Sequence, residues 1–436
     1  MIDPGSHAAL NLGDIAMLQV AVARLRELWP GADVAVLTTD PAALRRHCPA
    51  ARAVPAPGRY GWLRADARAS AAARVVLGGV RATRRRLPGA ARAGIELERM
   101  LRGLDDEVRT YLRELARSDL FLVCGRGGTC DAFPDETAEL LGELETVREL
   151  GVPTAMTSQG IGPLRDPGLA RRAAQVLPGV GLIAVRERLL APHLLEGLGV
   201  QGDHIAVTGD DAVEPAFAAR SSGGSPTAIG LGVRAVAYAE VGPDAIEAIG
   251  ASVRAAVERH GADVVPIPIS LYPGEADVET FERLLGAPAT ARDRADTTAG
   301  AIDAAGRCRV AVTGSYHGGV FAAAQGVPVV GLVGSPYYRA KLEGLRDAFG
   351  AGVEVLGVGE PRLEQRLAEA IDRAWVTPAS DRAAMLAAAE RQVAAGREAY
   401  SRLAAVARRP GAALRPGPVL VDASADPVPA TREPVG

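Results

Sequence analysis

Lysine is almost missing from these 436 residues: the 49 basic residues include one lysine, Lys341, and the rest are arginine. A composition that keeps a single lysine makes that residue a candidate for a specific task. Aromatic residues are also sparse, at 4%, so any core must be built largely from Ala, Val and Leu. The four cysteines, Cys48, Cys124, Cys130 and Cys308, contain no C-x-x-C pair, which excludes a dense disulfide framework and the usual zinc spacings. Although Cys124 and Cys130 flank a Gly-rich stretch, no metal is expected there. No apolar run approaches the ~18 residues needed to span a bilayer, so no transmembrane segment is expected. With no secretory-type region before Asn11, the chain reads as cytoplasmic with reduced thiols. The net charge of −3 and the isoelectric point near 6.2 give no bulk reason to expect nucleic acid or an anionic membrane as partner. An anionic ligand would have to be met by a local cluster.

What is present is alternation. Short apolar strands separated by helical patterns argue for parallel βαβ units. After Gly13, the residues Ile15, Leu18, Val22, Leu25 and Trp29 recur at spacings of three and four, predicting one buried helix face, and Pro30-Gly31 ends the helix. Strands are expected at Met1–Asp3, Val34–Leu37, Leu120–Val123, Thr154–Thr157, Leu182–Val185 and Ile205–Val207, forming a Rossmann-like domain over 1–218. Within it, Pro55–Arg117 is an Ala/Arg-rich helical excursion. Its Arg81, Arg84, Arg85 and Arg86 read as a solvated face pairing with Glu96, Glu98, Asp105 and Asp106 rather than as a nucleic-acid patch. Residues 219–227, containing Ser221-Ser-Gly-Gly-Ser-Pro226, read as a linker. A second doubly wound domain follows over 228–375, with strands at Ala228–Val233, Val264–Ile269, around Val310 and at Val327–Val333. A helix over 376–408, centred on Ala379–Val406, comes next. Residues 409–436, punctuated by Pro410, Pro416, Pro418, Pro427, Pro429 and Pro434, are expected to be disordered. Two such domains leave a cleft between the carboxyl ends of their sheets, where parallel α/β proteins bind ligands.

Several strand ends carry chemistry toward that cleft. The stretch Val310-Ala-Val-Thr-Gly-Ser-Tyr-His317-Gly318-Gly319 delivers a histidine and two glycines to a helix N-terminus, whose unpaired N–H groups suit an anion. Tyr337-Tyr-Arg-Ala-Lys341 follows the next strand. In the first half, Gly5-Ser-His-Ala-Ala-Leu-Asn11-Leu-Gly13-Asp14 opens onto a helix. Asp14 reads most simply as its N-cap, and the Asn11 amide suits a sugar hydroxyl. Cys124-Gly125-Arg126-Gly127-Gly128, Ser158-Gln159-Gly160 and Arg186-Glu187-Arg188 end three successive strands on the same edge of the sheet. Gly230-Leu-Gly232-Val-Arg234 places an arginine at a strand end in the second half. The remaining histidines, His7, His47, His193, His204 and His260, read as structural or solvated.

Taken together, Asn11-x-Gly13-Asp14-x-Ala16, the Gly-rich loop after Val123, Gln159-Gly-Ile-Gly-Pro163, Val185-Arg186-Glu187, Arg234 and His317 with Gly326-Val-Pro328 resemble the polysaccharide pyruvyl transferase family. The resemblance spans most of residues 5–345. It implies a twin-Rossmann, glycosyltransferase-like (GT-B-like) fold and transfer of an enolpyruvyl unit from phosphoenolpyruvate to hydroxyls of a sugar or sugar-containing metabolite, closing a pyruvate ketal. Phosphoenolpyruvate would be the donor substrate, with no further cofactor, and a homo-oligomer is compatible with this reading. His317 and Asp14 would be the catalytic pair. Arg186, Arg234, Lys341, Arg126, Gly318 and Gly319 would hold the anionic donor, and Asn11 and Gln159 the acceptor.

The sequence departs from the family pattern in three places. Ser315 stands where an arginine usually precedes the histidine by two residues, Arg188-Leu189 replaces a serine after the Arg-Glu, and Arg126 interrupts a glycine run. Two alternatives stay open at this point. A nucleotide-sugar glycosyltransferase shares the His-Gly-Gly and Gly-Val-Pro features, although Val320–Gln325 offers no acidic residue for a ribose. A non-catalytic ligand-binding protein of the same fold is the other.

Overall fold

A computed structural model describes residues 1–64, 76–77, 79–80, 91–221, 226–233, 241–274, 276–285 and 295–407. Arg81, Arg84, Arg85, Arg86, Arg234 and residues 409–436 lie outside the described residues.

Among the described residues, twelve strands form two parallel sheets. The first contains β1 (Ile2–Asp3), β2 (Ala35–Thr38), β3 (Arg52–Pro55), β4 (Phe121–Cys124), β5 (Thr154–Gln159), β6 (Leu182–Val185) and β7 (Ile205–Val207), in the order β3-β2-β1-β4-β5-β6-β7. The second contains β8 (Ala228–Gly232), β9 (Asp263–Pro266), β10 (Cys308–Thr313), β11 (Val329–Val333) and β12 (Val353–Gly357), in the order β12-β11-β10-β8-β9. In each sheet the winding reverses once, between β1 and β4 and between β8 and β10. Such a switch point leaves a crevice at the carboxyl ends of the two strands. The two crevices face each other.

Burial follows composition. The central strands β4, β5, β6, β8 and β11 are buried along their whole length, as expected of strands covered by helices on both faces. Two strands escape the sequence pattern, β3 and β12. Arg52-Ala-Val-Pro55 lies at a sheet edge with only Val54 buried, and its proline and arginine mask it as loop. β9 is shorter than the Val264–Ile269 expected, because Pro266 and Pro268 end the ladder. The next residues then cross to the other domain: Ile269 O accepts from Leu12 N at 2.8 Å, and Leu10 O from Leu271 N at 2.8 Å.

The first helix, Leu12–Leu28, buries Ile15, Leu18, Val22 and Leu25 as its periodicity predicts. Its cap differs from the expectation. Asn11 Oδ1 accepts from Gly13 N at 3.0 Å and from Asp14 N at 3.2 Å, so Asn11 is the N-cap and Asp14 lies inside the first turn. In the Ala/Arg-rich excursion, the described carboxylates pair locally, Glu96 with Arg99, Glu98 with Arg102 and Asp106 with Arg109. Asp105 instead caps the helix Asp106–Arg117 through Val108 N.

The last helix, Ala379–Val406, runs across both domains. Its first half grips the second domain: Arg382 donates to Gly326 O and Arg309 O, and Met385 fills the space a side chain on Gly352 would occupy. Its second half lies on the first domain, where Val406 packs over Gly181 and the Tyr400 hydroxyl meets Thr157 and Asp211. Fully buried Met385 and Leu403 contribute about 2 kcal/mol each by removing apolar surface from water. The helix thus ties the two halves together at the back of the cleft, while the Leu10–Leu12 and Ile269–Leu271 contacts tie them at one side.

Candidate active site

A cavity of about 340 Å³ lies between the two crevices, walled by loops from both domains. The first domain contributes Gly5, Ser6, Asn11 and Asp14 after β1, Gly125–Gly128 after β4 and Arg186 after β6; the second contributes Tyr272, Ser315, Tyr316, His317, Tyr337, Tyr338 and Lys341.

His317 reaches this wall through β10, where Thr313 Oγ1 accepts from Ser315 N at 2.9 Å and donates to Gly232 O at 2.8 Å, fixing the turn into the helix Tyr316–Ala323. The imidazole then lies against the backbone of the other domain. A β-carbon on Gly13 would fall 2.0 Å from His317 Cγ and 2.1 Å from Nδ1. Here glycine is required by the approach of a ring rather than by backbone angle.

On its other side, His317 Nε2 is 3.6 Å from Asp210 Oδ2. The same carboxylate oxygen lies 3.0 Å from Arg186 Nε, and Asp210 Oδ1 accepts from Ala212 N at 2.8 Å. Burial pushes the Asp210 carboxyl up, but Arg186 and His317 pull harder, and it settles at about 2. Asp210 was not foreseen. The signal was available, because Thr208-Gly209-Asp210-Asp211 after β7 is a fourth polar loop on the sheet edge that already carried three.

Arg186 is buried. Its Nε donates to Ser158 O at 2.7 Å and its Nη2 to Met17 Sδ at 3.1 Å, with the guanidinium 5.3 Å from the Tyr316 ring centroid. Ser158 holds a left-handed backbone, φ 56°, uncommon for a residue with a β-carbon, and its carbonyl is thereby turned toward Arg186. The remaining guanidinium edge faces Gly127. A β-carbon there would lie 2.8 Å from Lys341 Nζ and 3.5 Å from Arg186 Nη1, so the glycine leaves open the space that both cations approach. Lys341 donates to the Tyr337 hydroxyl, which donates on to Gly127 O at 2.9 Å, and its ammonium sits 4.1 Å from the Tyr337 ring centroid.

Asp14 faces the cavity from the first turn of its helix. Burial pushes its carboxyl up, opposed by His317, Arg186 and Lys341, and the net direction is upward. Arg126 lines the same wall and donates to Glu136 O at 3.1 Å. Ser6 Oγ and Tyr272 OH, one from each domain, are 3.1 Å apart. Of the chain's 17 aromatic residues, Phe133, Tyr272, Tyr316, Tyr337 and Tyr338 line this one cavity.

The structure therefore brings together His317, Asp14, Arg186, Lys341, Arg126 and Asn11. Three expected residues fall elsewhere. Gln159 is fully buried and its amide donates to Val123 O at 3.1 Å and Thr157 O at 2.7 Å, which makes it a clasp between neighbouring strand ends rather than a cavity group. Gly318 and Gly319 are not on the cavity wall; β-carbons on them would meet Thr313 Oγ1 at 2.8 Å and Leu345 Cδ2 at 2.7 Å, so they serve the close packing of the helix.

With this geometry in hand, the sequence matches the polysaccharide pyruvyl transferase family over residues 11–336. The chain belongs to that family. The match makes it a transferase, and carbohydrate and polysaccharide biosynthesis is the setting the family name gives. Curated protein sequences yield no match. Among solved structures, a UDP-N-acetylglucosamine 2-epimerase aligns over 92% of this chain and 93% of its own with 13% identity and a TM-score of 0.52. The Neisseria meningitidis UDP-GlcNAc 2-epimerase bound to UDP-GlcNAc covers 90% and 96% at 11% identity with a TM-score of 0.52. The glycotransferase of kitacinnamycin covers 93% and 98% at 13% identity with a TM-score of 0.50. At such identities the likeness shows the fold alone, the GT-B-like pairing of two Rossmann-like domains. Among the described residues no helix is long and apolar enough to cross a membrane.

Proposed function

We propose that this family member transfers an enolpyruvyl unit from phosphoenolpyruvate to two hydroxyls of one sugar, releasing phosphate and closing a pyruvate ketal. The observation that carries the reading is that Arg186, Lys341 and His317 line one cavity, the two cations beside the space Gly127 leaves open and the His317 ring seated against Gly13. Phosphoenolpyruvate is small and carries two anionic groups. A guanidinium can hold one of them in bidentate fashion, and an ammonium can hold the other as a point charge. A neutral sugar needs no such pair.

The chemistry requires an acid at the donor's methylene carbon and a base at the attacking hydroxyl. In our reading His317 donates its proton to that carbon, the first hydroxyl oxygen bonds to the adjacent carbon, and its proton passes to Asp14. The carbon–oxygen bond to phosphate then breaks. The second hydroxyl bonds to the same carbon and gives up its proton to the departing phosphate. One donor and two hydroxyls thus become one ketal and inorganic phosphate. Asp210, 3.6 Å from the imidazole Nε2 and 3.0 Å from Arg186 Nε, orients both side chains. The aromatic side chains offer flat faces to a sugar ring, with Ser6, Tyr272 and Asn11 at its polar rim. The donor cations and this rim are contributed by both domains, so the reaction needs the cleft as assembled.

The alternative, a glycosyltransferase using a nucleotide sugar, is supported by the fold but less well by the site. Residues Val320–Ala324 are completely buried and apolar, and no carboxylate on that helix faces a ribose. The test is phosphate release from phosphoenolpyruvate in the presence of a panel of sugars and nucleotide-linked sugars. Acceptor-dependent release with a ketal in the product supports the proposal; turnover of a nucleotide sugar without phosphoenolpyruvate would replace it.

A further inference from the structure

The last helix lays one stripe of its surface along the loop that presents Asp210. A β-carbon on Gly209 would lie 2.1 Å from Gln392 Oε1, one on Gly396 would lie 3.8 Å from Asp211 Oδ1, and the Tyr400 hydroxyl donates to Asp211 Oδ2 at 2.8 Å. Positions 392, 396 and 400 are four apart and therefore share a helix face. The Tyr400 hydroxyl is also 3.1 Å from Thr157 Oγ1, so it ties the end of β5 to the loop after β7. From Asp211 the path to the cleft is short. Asp211 N donates to Ser158 Oγ at 2.9 Å, Ser158 O accepts from Arg186 Nε at 2.7 Å, and Asp210 Oδ2 stands between Arg186 and His317.

We propose that Tyr400 is a positioning residue for the active site: through Asp211 it fixes the loop that aims Asp210 at Arg186 and His317. The first half of the same helix is anchored on the second domain through Arg382 and Met385. Those anchors hold the helix without meeting the Asp210 loop, which the helix meets through Gln392, Gly396 and Tyr400. Removing the hydroxyl frees Asp211, lets the Gly209–Asp211 backbone shift, and lengthens a contact already at 3.6 Å between Asp210 and His317. The inference rests on the site reading above, but not on the identity of the donor.

Tyr400→Phe keeps the buried ring and removes only the hydroxyl. The measurements are the His317 imidazole ¹⁵N resonances, assigned by comparison with His317→Ala, and the affinity for phosphoenolpyruvate by titration calorimetry. Met385→Ala serves as the control, because it loosens the same helix on the second domain without touching the Asp210 loop. The expected result is a change in the His317 resonances and about a fivefold weaker donor affinity in Tyr400→Phe, the scale of one lost hydrogen bond. Met385→Ala should lower the melting temperature at least as much yet leave the His317 signal where it was. Wild-type His317 resonances in Tyr400→Phe, or equal changes in both variants, would overturn the proposal. A wild-type protein that does not bind phosphoenolpyruvate would sink the functional reading instead, while the His317 signal would still decide the role of Tyr400.

Discussion

Two buried ionic clusters, built from nearly the same ingredients, stand at the carboxyl end of the first sheet and behave differently. Around Arg59, which is 1% exposed, three carboxylates close in: Glu143 at 2.8 Å, Glu139 at 3.3 Å and Asp3 at 3.4 Å. Tyr111 and His7 complete the cluster, donating to Glu143 at 2.7 Å and meeting Asp3 at 2.9 Å. Its Arg59, Asp3 and Glu143 side chains are at most 1% exposed. Around Arg186 there is one carboxylate at contact distance, Asp210, and beyond it an imidazole, an ammonium and an open cavity. The first guanidinium is surrounded by carboxyl groups. The second is left with an edge facing empty space. An arginine's burial and charge do not separate structure from function; what separates these two is whether carboxyl groups close around the guanidinium or a cavity opens beside it.

The largest expected effect breaks the second cluster. His317→Ala removes the proposed acid and should reduce ketal formation by about 10²–10⁴-fold, while the melting temperature moves by only a few degrees. Loss of folding instead would return the histidine to a structural role. Gly13→Ala attacks the same ring from the other domain, forcing the imidazole off a β-carbon that has no room. A rate loss of about 10²-fold is expected from a displacement of this kind, with wild-type kinetics counting against the placement of His317. The first cluster should respond in the opposite manner. Arg59→Met leaves buried carboxylates unpaired and should cost about 3–5 kcal/mol of stability by chemical denaturation, while protein that remains folded retains its affinity for phosphoenolpyruvate. A variant with normal stability and lost donor binding would erase the distinction. Lys341→Ala should mainly raise the KM for the donor, by about tenfold, and leave kcat within a few-fold; an unchanged KM removes it from the anion site.

The smallest effect is a pH dependence. Burial pushes the Asp211 carboxyl up to about 7, with Tyr400, Arg186 and Arg24 opposing and Asp210 reinforcing. A carboxyl raised in the folded state opposes folding as it ionises, so its cost is absent below the unfolded value near 4 and is fully developed above about 7. Asp211→Asn should therefore gain stability over wild type progressively between pH 4 and 7 and hold that gain above pH 7. A difference independent of pH would contradict the assignment. Asp210 behaves conversely: its depressed carboxyl contributes stability that is present above about pH 4 and is lost as the pH falls toward 2.

Much of the fold was legible because its signals are local. Apolar strands alternating with periodic helices announced ten of the twelve strands, and the apolar stripe from Ile15 to Leu25 is buried as its spacing demands. β3 and β12 were not legible. Each lies at a sheet edge, where charged residues such as Arg52 and Glu354 interrupt the apolar run. The site was legible where one residue type stood out against the composition, as with Lys341, or ended an apolar strand, as with Arg186 and His317. It was misleading where a local feature has two uses. Gln159 and the Gly318-Gly319 pair occupy strand-end and helix-start positions that suit ligands, yet their side chains or missing side chains serve packing between elements distant in sequence. Ser6 and Tyr272 carry no local signal, because they meet only across the two domains.

The most direct test of the central claim is a crystal structure of the protein soaked with phosphoenolpyruvate. The account predicts the donor in the space bounded by Gly127, Arg186 and Lys341, with phosphate and carboxylate on the two cations and its methylene carbon turned toward His317. Donor density elsewhere, or an empty cleft at saturating phosphoenolpyruvate in protein that turns over a nucleotide sugar, would contradict it.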